Sequence, residues 1–204
     1  MVKQGTNEWL IQRLGKCTAS RVFDIIPGKR GNYLAPREKY LYELLTERLT
    51  GVPTEFYITP AMQWGMDTEG LARSVYEAKL GVIVHEVGFV DHATIPMFGA
   101  SADGIIADGR GTCEIKCPTQ AVHAKVLATG YIDPKYYYQM QTVMLMAGRE
   151  YCDYINYDPR FPEEFAMYIN RIERDQEAIE QIEHESILFL AELKKLEEKI
   201  RGNK

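Results

Sequence analysis

Cysteine is scarce. Cys17, Cys113, Cys117 and Cys152 are the four in a chain of 204 residues, too few and too scattered for a disulfide framework. Reduced thiols and a cytosolic setting are the expectation. Long apolar runs are also missing, and none exceeds Val143–Ala147, far below the ~18 residues that a membrane span needs. The N-terminal stretch MVKQGTNEW has no apolar signal core, so export by that route is not expected. Positive charge is in deficit: 24 Lys and Arg against 29 Asp and Glu leave a net charge of −5. A uniformly basic DNA-coating protein is excluded, while a local basic groove is not. No internal repeat and no linker rich in Pro, Gly or Ser divides the chain, and its length fits one domain over residues 1–204. Against these absences, 46% of the residues are hydrophobic, enough to bury a core.

Hydrophobic spacing predicts helices over Thr18–Ile26, Pro36–Leu49 and Met62–Leu80, with Gly51 and Gly81 as the stops of the last two. The texture then becomes β-branched. Strands are predicted over Val82–Val90, Phe98–Ala107 and Thr112–Cys117, the last two joined by an Asp108-Gly109 turn. Helices at Gln120–Thr129 and Pro134–Ala147, strands at Tyr151–Tyr157 and Phe165–Ile172, and a long helix from Arg174 to Lys199 complete the pattern. This order predicts an α/β fold with a central mixed β-sheet flanked by helices and a long C-terminal helix packed on its own domain.

The chemistry-bearing stretch is Ser101–Pro118, SADGIIADGRGTCEIKCP. Strand alternation puts Glu114 and Lys116 on one face, with Cys113, Ile115 and Cys117 on the other. The hairpin brings Asp103 alongside Glu114. Two adjacent carboxylates repel unless a cation separates them. Oxygen ligands without His or thiolate partners favour Mg²⁺ or Mn²⁺. A Lys on the same face holds a water or stabilises developing negative charge. The set suits metal-assisted phosphodiester hydrolysis. The cysteines are not grouped as iron–sulfur ligands, and His85, His92, His123 and His184 lack zinc-site spacing.

The spacing Asp–x10–Glu–x–Lys resembles the PD-(D/E)xK nucleases, and the chain as a whole is similar to their phage-type recombination exonucleases, the lambda exonuclease and YqaJ group. Four blocks carry the likeness over about residues 4–160. They are Trp9–Gly15 with Thr18-Ala19-Ser20; Trp64-Gly65 with Glu69; Ser101-x-Asp103-Gly104 continuing to Glu114-Ile115-Lys116-Cys117-Pro118; and Gln139-Met140-Gln141 with Asn156–Arg160.

The resemblance implies a restriction-endonuclease-like core and a set of roles. Asp103, Glu114 and the main-chain carbonyl of Ile115 would hold two Mg²⁺ ions, with Mn²⁺ as a substitute. Lys116 would orient the attacking water, with Glu69 and Gln141 as accessory groups of the same pocket. Arg13, Ser20 and Ser101 would bind the 5′-phosphate of a DNA end, chemistry that suits a guanidinium and hydroxyls. A second Arg expected after the Cys-Pro is replaced by Ala121; either His123 or Lys125 nearby stands in for it, or that cation is absent. The implied activity is 5′–3′ exonucleolysis of one strand of linear duplex DNA, leaving 3′ single strands for recombination by annealing. The implied partners are double-stranded DNA ends, two further copies in a homotrimeric ring, and a single-strand annealing protein, without a membrane and in the cytoplasm of a bacterial host. Two alternatives stand beside it: a restriction-type endonuclease or nickase, and a DNA-end-binding module with an inactive site.

Overall fold

The seven residues of Tyr151–Tyr157 are all buried, as expected of a strand covered on both faces. It lies inside a five-stranded sheet. A computed structural model describes residues 2, 4–54 and 57–202. In chain order the elements are α1 (Asn7–Arg13), β1 (Cys17–Thr18), a 3-10 helix (Ala19–Ile25), α2 (Ala35–Thr50), α3 (Pro60–Leu80), β2 (Val84–His85), β3 (Val90–Asp91) and β4 (Phe98–Ala100). They continue with β5 (Gly104–Ile106), β6 (Gly111–Lys116), α4 (Gln120–Thr129), α5 (Pro134–Ala147), β7 (Tyr151–Tyr157), β8 (Met167–Glu173) and α6 (Gln176–Gly202).

The large sheet runs β2-β5-β6-β7-β8. Its central pair β6–β7 is parallel and the other pairs are antiparallel, so the sheet is mixed. The parallel pair requires a crossover, which α4 and α5 supply. A second sheet of three short strands runs β1-β4-β3.

Alternation along β6 and β7 sorts the core. Cys113, Ile115, Ile155 and Tyr157 pack with Ala72 and Tyr76 of α3. Cys152 and Tyr154 pack on the other face with Val126 of α4 and with Met140 and Met144 of α5. The long α6 lays Ile182, Phe189 and Leu193 against Tyr40, Leu41, Leu44 and Leu45 of α2, with the Tyr40 and Phe189 rings stacked at 5.4 Å. All four cysteines are free and buried, as their apolar neighbours predict.

Three local expectations are corrected. Val82–Val90 and Phe98–Ala107 are not continuous strands. Each divides between the two sheets, and Ser101–Asp103 is the bend at which the chain passes from one to the other. The predicted helix over Thr18–Ile26 is a short strand followed by a 3-10 helix. The helix α1 was not among the predicted elements; its N-cap Thr6 accepts from the Trp9 amide at 3.3 Å.

Gly104, next to Asp103, sits where β2, β5 and β6 meet. A Cβ there would lie 2.1 Å from Val84 Cγ1 and 2.9 Å from Cys113 Sγ. Overpacking such a contact costs about 1–3 kcal/mol. Gly104→Ala is therefore expected to lower the thermal midpoint by several degrees, readable by calorimetry; an unchanged midpoint would contradict the close approach.

Candidate active site

The β5–β6 register, Gly104 opposite Cys113, carries Asp103 past the end of β5 and beside Glu114 and Ile115. Asp103 Oδ2 accepts from the Ile115 amide at 2.8 Å. Glu114 is fully buried. Its Oε1 accepts from Gln139 Nε2 at 2.6 Å and pairs with the Lys116 ammonium. Its Oε2 is buried and has no hydrogen-bond partner. A desolvated carboxylate oxygen with no donor is costly, and a cation is the group that offsets it.

The electrostatics agree with this crowding. Burial, and then the Asp103 charge, push the Glu114 carboxyl up to about 8, although Lys116 opposes the shift. Burial and Asp103 likewise push Glu69 up to about 7, against the pull of Arg73. For Lys116, burial pulls the ammonium down, but Glu114 and then Asp103 outweigh it and hold it above its usual value. The lysine therefore stays charged.

Glu69 and Asp103 line one cleft of about 580 Å³ together with Arg73 and Glu86. Arg73, one helical turn beyond Glu69, lies 2.9 Å from its Oε1 and also pairs with Glu86. The donor set fits a hard divalent cation: two carboxylates, one with an unsatisfied buried oxygen, beside a main-chain carbonyl at Ile115. Among the described residues, no cluster of three or more His, Cys, Asp or Glu side chains is already gathered for a metal. A cation at this point would be held by Asp103, Glu114 and backbone.

Gln141 is a correction. It is fully buried, with Nε2 donating to the Glu173 carbonyl at 2.9 Å and Oε1 accepting from the Asp175 amide at 2.9 Å. It braces the β8–α6 junction, while Gln139, two residues earlier on α5, reaches Glu114. Residues two apart on a helix point away from one another, and the polar pattern did not distinguish them.

Arg13, Ser20 and Ser101 are brought together through Trp9. The indole donates to Ser101 Oγ at 2.8 Å, and the Arg13 guanidinium lies 4.0 Å above the ring. Arg13 Nη2 stands 3.4 Å from the hydroxyls of both Thr18 and Ser20. Trp9, Arg13, Thr18 and Ser20, with Arg21, Lys39 and Lys16, line a groove of about 650 Å³; Ser101 is not part of that lining and is joined to it only through Trp9. Arg21, Lys39 and Lys16 are each paired with a carboxylate. Arg13 makes no ion pair among the described residues; its neighbours are the hydroxyls of Thr18 and Ser20 and the Trp9 ring.

His123 does not stand in for the missing second Arg. It is fully buried, bridging Asn156 Oδ1 at 2.6 Å and the Phe165 carbonyl at 2.8 Å. Lys125 lies exposed over the Tyr131 ring at 4.1 Å.

Residues 8–150 match the family model described as the YqaJ-like viral recombinase domain. Among solved structures, an alkaline exonuclease (LHK-Exo) from Laribacter hongkongensis is 44% identical, with a TM-score of 0.90 over 97% of each chain. The structure of LHK-Exo in complex with dAMP matches at 43% identity with the same coverage. A phage related exonuclease from Haemophilus somnus 129PT is 15% identical and shares the fold, with a TM-score of 0.71 over 91% of this chain and 96% of that one. No curated protein matches the chain.

Burial and the Asp103 charge raise Glu69 and Glu114 above the ~4.3 at which unfolded glutamates release their protons. The native state therefore binds more protons above that value, and this share of stability is lost as pH rises from there through the raised native values. With chelator present, the thermal midpoint is expected to fall from pH 6 to pH 9. A midpoint that rises over that interval would contradict the crowded-carboxylate site.

Proposed function

The chain belongs to the YqaJ-like viral recombinase domain family, and from that membership we propose that it is a Mg²⁺-dependent exonuclease acting on ends of linear double-stranded DNA. It degrades one strand 5′ to 3′ and leaves 3′ single-stranded overhangs for phage-type recombination by single-strand annealing. The observation that carries the reading is the buried, half-unsatisfied Glu114 carboxylate next to Asp103 and Lys116. The LHK-Exo likeness supports the exonuclease class.

Asp103, Glu114 and the Ile115 carbonyl are the groups that hold two Mg²⁺ ions, and Mn²⁺ substitutes for them. When bound, the ions supply Lewis-acid activation of water and neutralise charge on the scissile phosphate. Lys116 orients the attacking water and stabilises negative charge as it develops. Gln139 fixes Glu114 from α5. Glu69, steadied by Arg73, is the accessory carboxylate of the cleft. Arg13, Ser20 and Ser101 receive the 5′-phosphate, which supports 5′ polarity: a guanidinium without a carboxylate partner, set among hydroxyls, is suited to a phosphate dianion.

A chain of net charge −5 cannot hold DNA by diffuse attraction. A homotrimeric ring that encloses the duplex replaces that attraction, and a single-strand annealing protein takes up the product strand. The setting is the cytoplasm of a bacterial host. Among the described residues no helix is long and apolar enough to cross a membrane.

The test incubates linear duplex with 5′-phosphate ends, linear duplex with 5′-hydroxyl ends, and covalently closed circle in Mg²⁺. Only the linear forms are expected to disappear, the phosphorylated one faster, and Asp103→Ala abolishes the loss. Cleavage of the circle would instead establish an endonuclease, and absence of metal-dependent cleavage would leave an end-binding module.

The two glutamines separate chemistry from scaffold. Gln139→Ala is expected to lower kcat with little change in thermal midpoint. Gln141→Ala strips partners from two backbone groups and is expected to cost about 1–3 kcal/mol of stability. The opposite assignment in paired kinetics and melts would restore Gln141 to the site.

A further inference from the structure

Gly15, two residues past Arg13, is gripped by consecutive residues in the last turn of α2. Glu47 Oε2 accepts from the Gly15 amide at 2.8 Å, and Arg48 Nε donates to the Gly15 carbonyl at 2.9 Å. The other Glu47 oxygen, Oε1, accepts from the Thr54 amide at 3.0 Å. One carboxylate therefore ties the turn after α1 to the segment after α2, and Arg13, Glu47 and Thr54 all line the same groove. The grip is shaped for glycine. Gly15 has φ of +67°, and a Cβ there would lie 2.7 Å from Arg48 Cγ. Arg48 is itself held by α6, with Glu197 at 3.7 Å from its Nη1 and Arg201 Nη2 donating to its carbonyl at 3.0 Å.

The charge of Glu47 is the wrong sign for an anion groove. A carboxylate lining a phosphate site weakens the site by repulsion, so electrostatics alone would favour its removal. What it supplies instead is geometry: two backbone amides, one on each wall, fixed by one side chain. We propose that Glu47 is a positioning residue for end recognition, ordering both walls so that Arg13 and the hydroxyls of Thr18 and Ser20 meet a terminal phosphate together. This rests on reading the groove as the 5′-phosphate pocket.

The two effects of Glu47 predict opposite signs, which makes Glu47→Gln decisive. The amide of Gln accepts from one backbone N–H but turns its own N–H₂ toward the other. It keeps the size of the side chain and removes the repulsive charge. The measurement is kcat/KM on linear duplex with 5′-phosphate and with 5′-hydroxyl ends, for the unaltered protein, Glu47→Gln, Gly15→Ala and Arg13→Ala. The expected result is a phosphate preference that Arg13→Ala removes and that Glu47→Gln lowers about tenfold, the scale of one lost charge-assisted hydrogen bond. Hydroxyl ends serve as the internal control for any general loss of fold or activity. If Glu47→Gln yields too little folded protein, Gly15→Ala tests the same grip from the other side and is expected to shift the ratio in the same direction. A preference unchanged or increased in the variants, with Arg13→Ala still removing it, overturns the positioning role alone. No preference in the unaltered protein overturns the pocket reading and this proposal with it.

Discussion

Two carboxylates beside each other in a buried strand pair are the constraint around which the protein is arranged. Asp103 accepts the Ile115 amide, Glu114 is sealed from solvent, and one Glu114 oxygen has no donor. Such a pair opposes folding unless something offsets the charge. Lys116 and Gln139 offset part of it on the other oxygen. The remainder is unsatisfied acceptor capacity of the kind a divalent cation would complete. Stability is given up at the point where chemistry needs it.

The passage between the two sheets turns this local constraint into a two-part site. Ser101–Asp103 is the bend between β4 and β5. Ser101 reaches back to Trp9 and hence to Arg13, while Asp103 reaches forward to Ile115. The groove residues Trp9 and Arg13 and the acidic centre are thus linked through two positions of one short segment. Gly104, crowded between Val84 and Cys113, fixes where that segment enters the large sheet. The α2–α6 packing then steadies the far wall of the groove through Arg48.

The helices α2 to α6, the strand β7 and the Asp103–Glu114–Lys116 cluster were legible because each depends on local pattern: 3.6-residue periodicity, a run rich in Tyr and Ile, or a hairpin register. What local pattern could not show was sheet membership. Val82–Val90 and Phe98–Ala107 carry strand composition throughout, yet each serves two sheets, and tertiary packing decides where the break falls. The glutamines failed for a similar reason. Helix α5 is covered on more than one side, so polarity alone did not say which of Gln139 and Gln141 faces the acids and which braces α6. His123 looked like an available cation and is instead a sealed brace between Asn156 and Phe165. Arg73 carried a signal, four residues beyond Glu69 on one helix. The grip of Glu47 on Gly15 and Thr54 links segments far apart in the chain and left no mark in the local sequence.

A divalent cation shared with Asp103 is proposed to complete the unsatisfied oxygen of Glu114. The most direct test is anomalous diffraction from crystals of the protein grown with Mn²⁺, alongside Asp103→Asn treated identically. Anomalous density is expected against Asp103, Glu114 and the Ile115 carbonyl, and none in the variant. Density only elsewhere, or no metal at these groups with Glu114 still turned to Lys116, would overturn this reading.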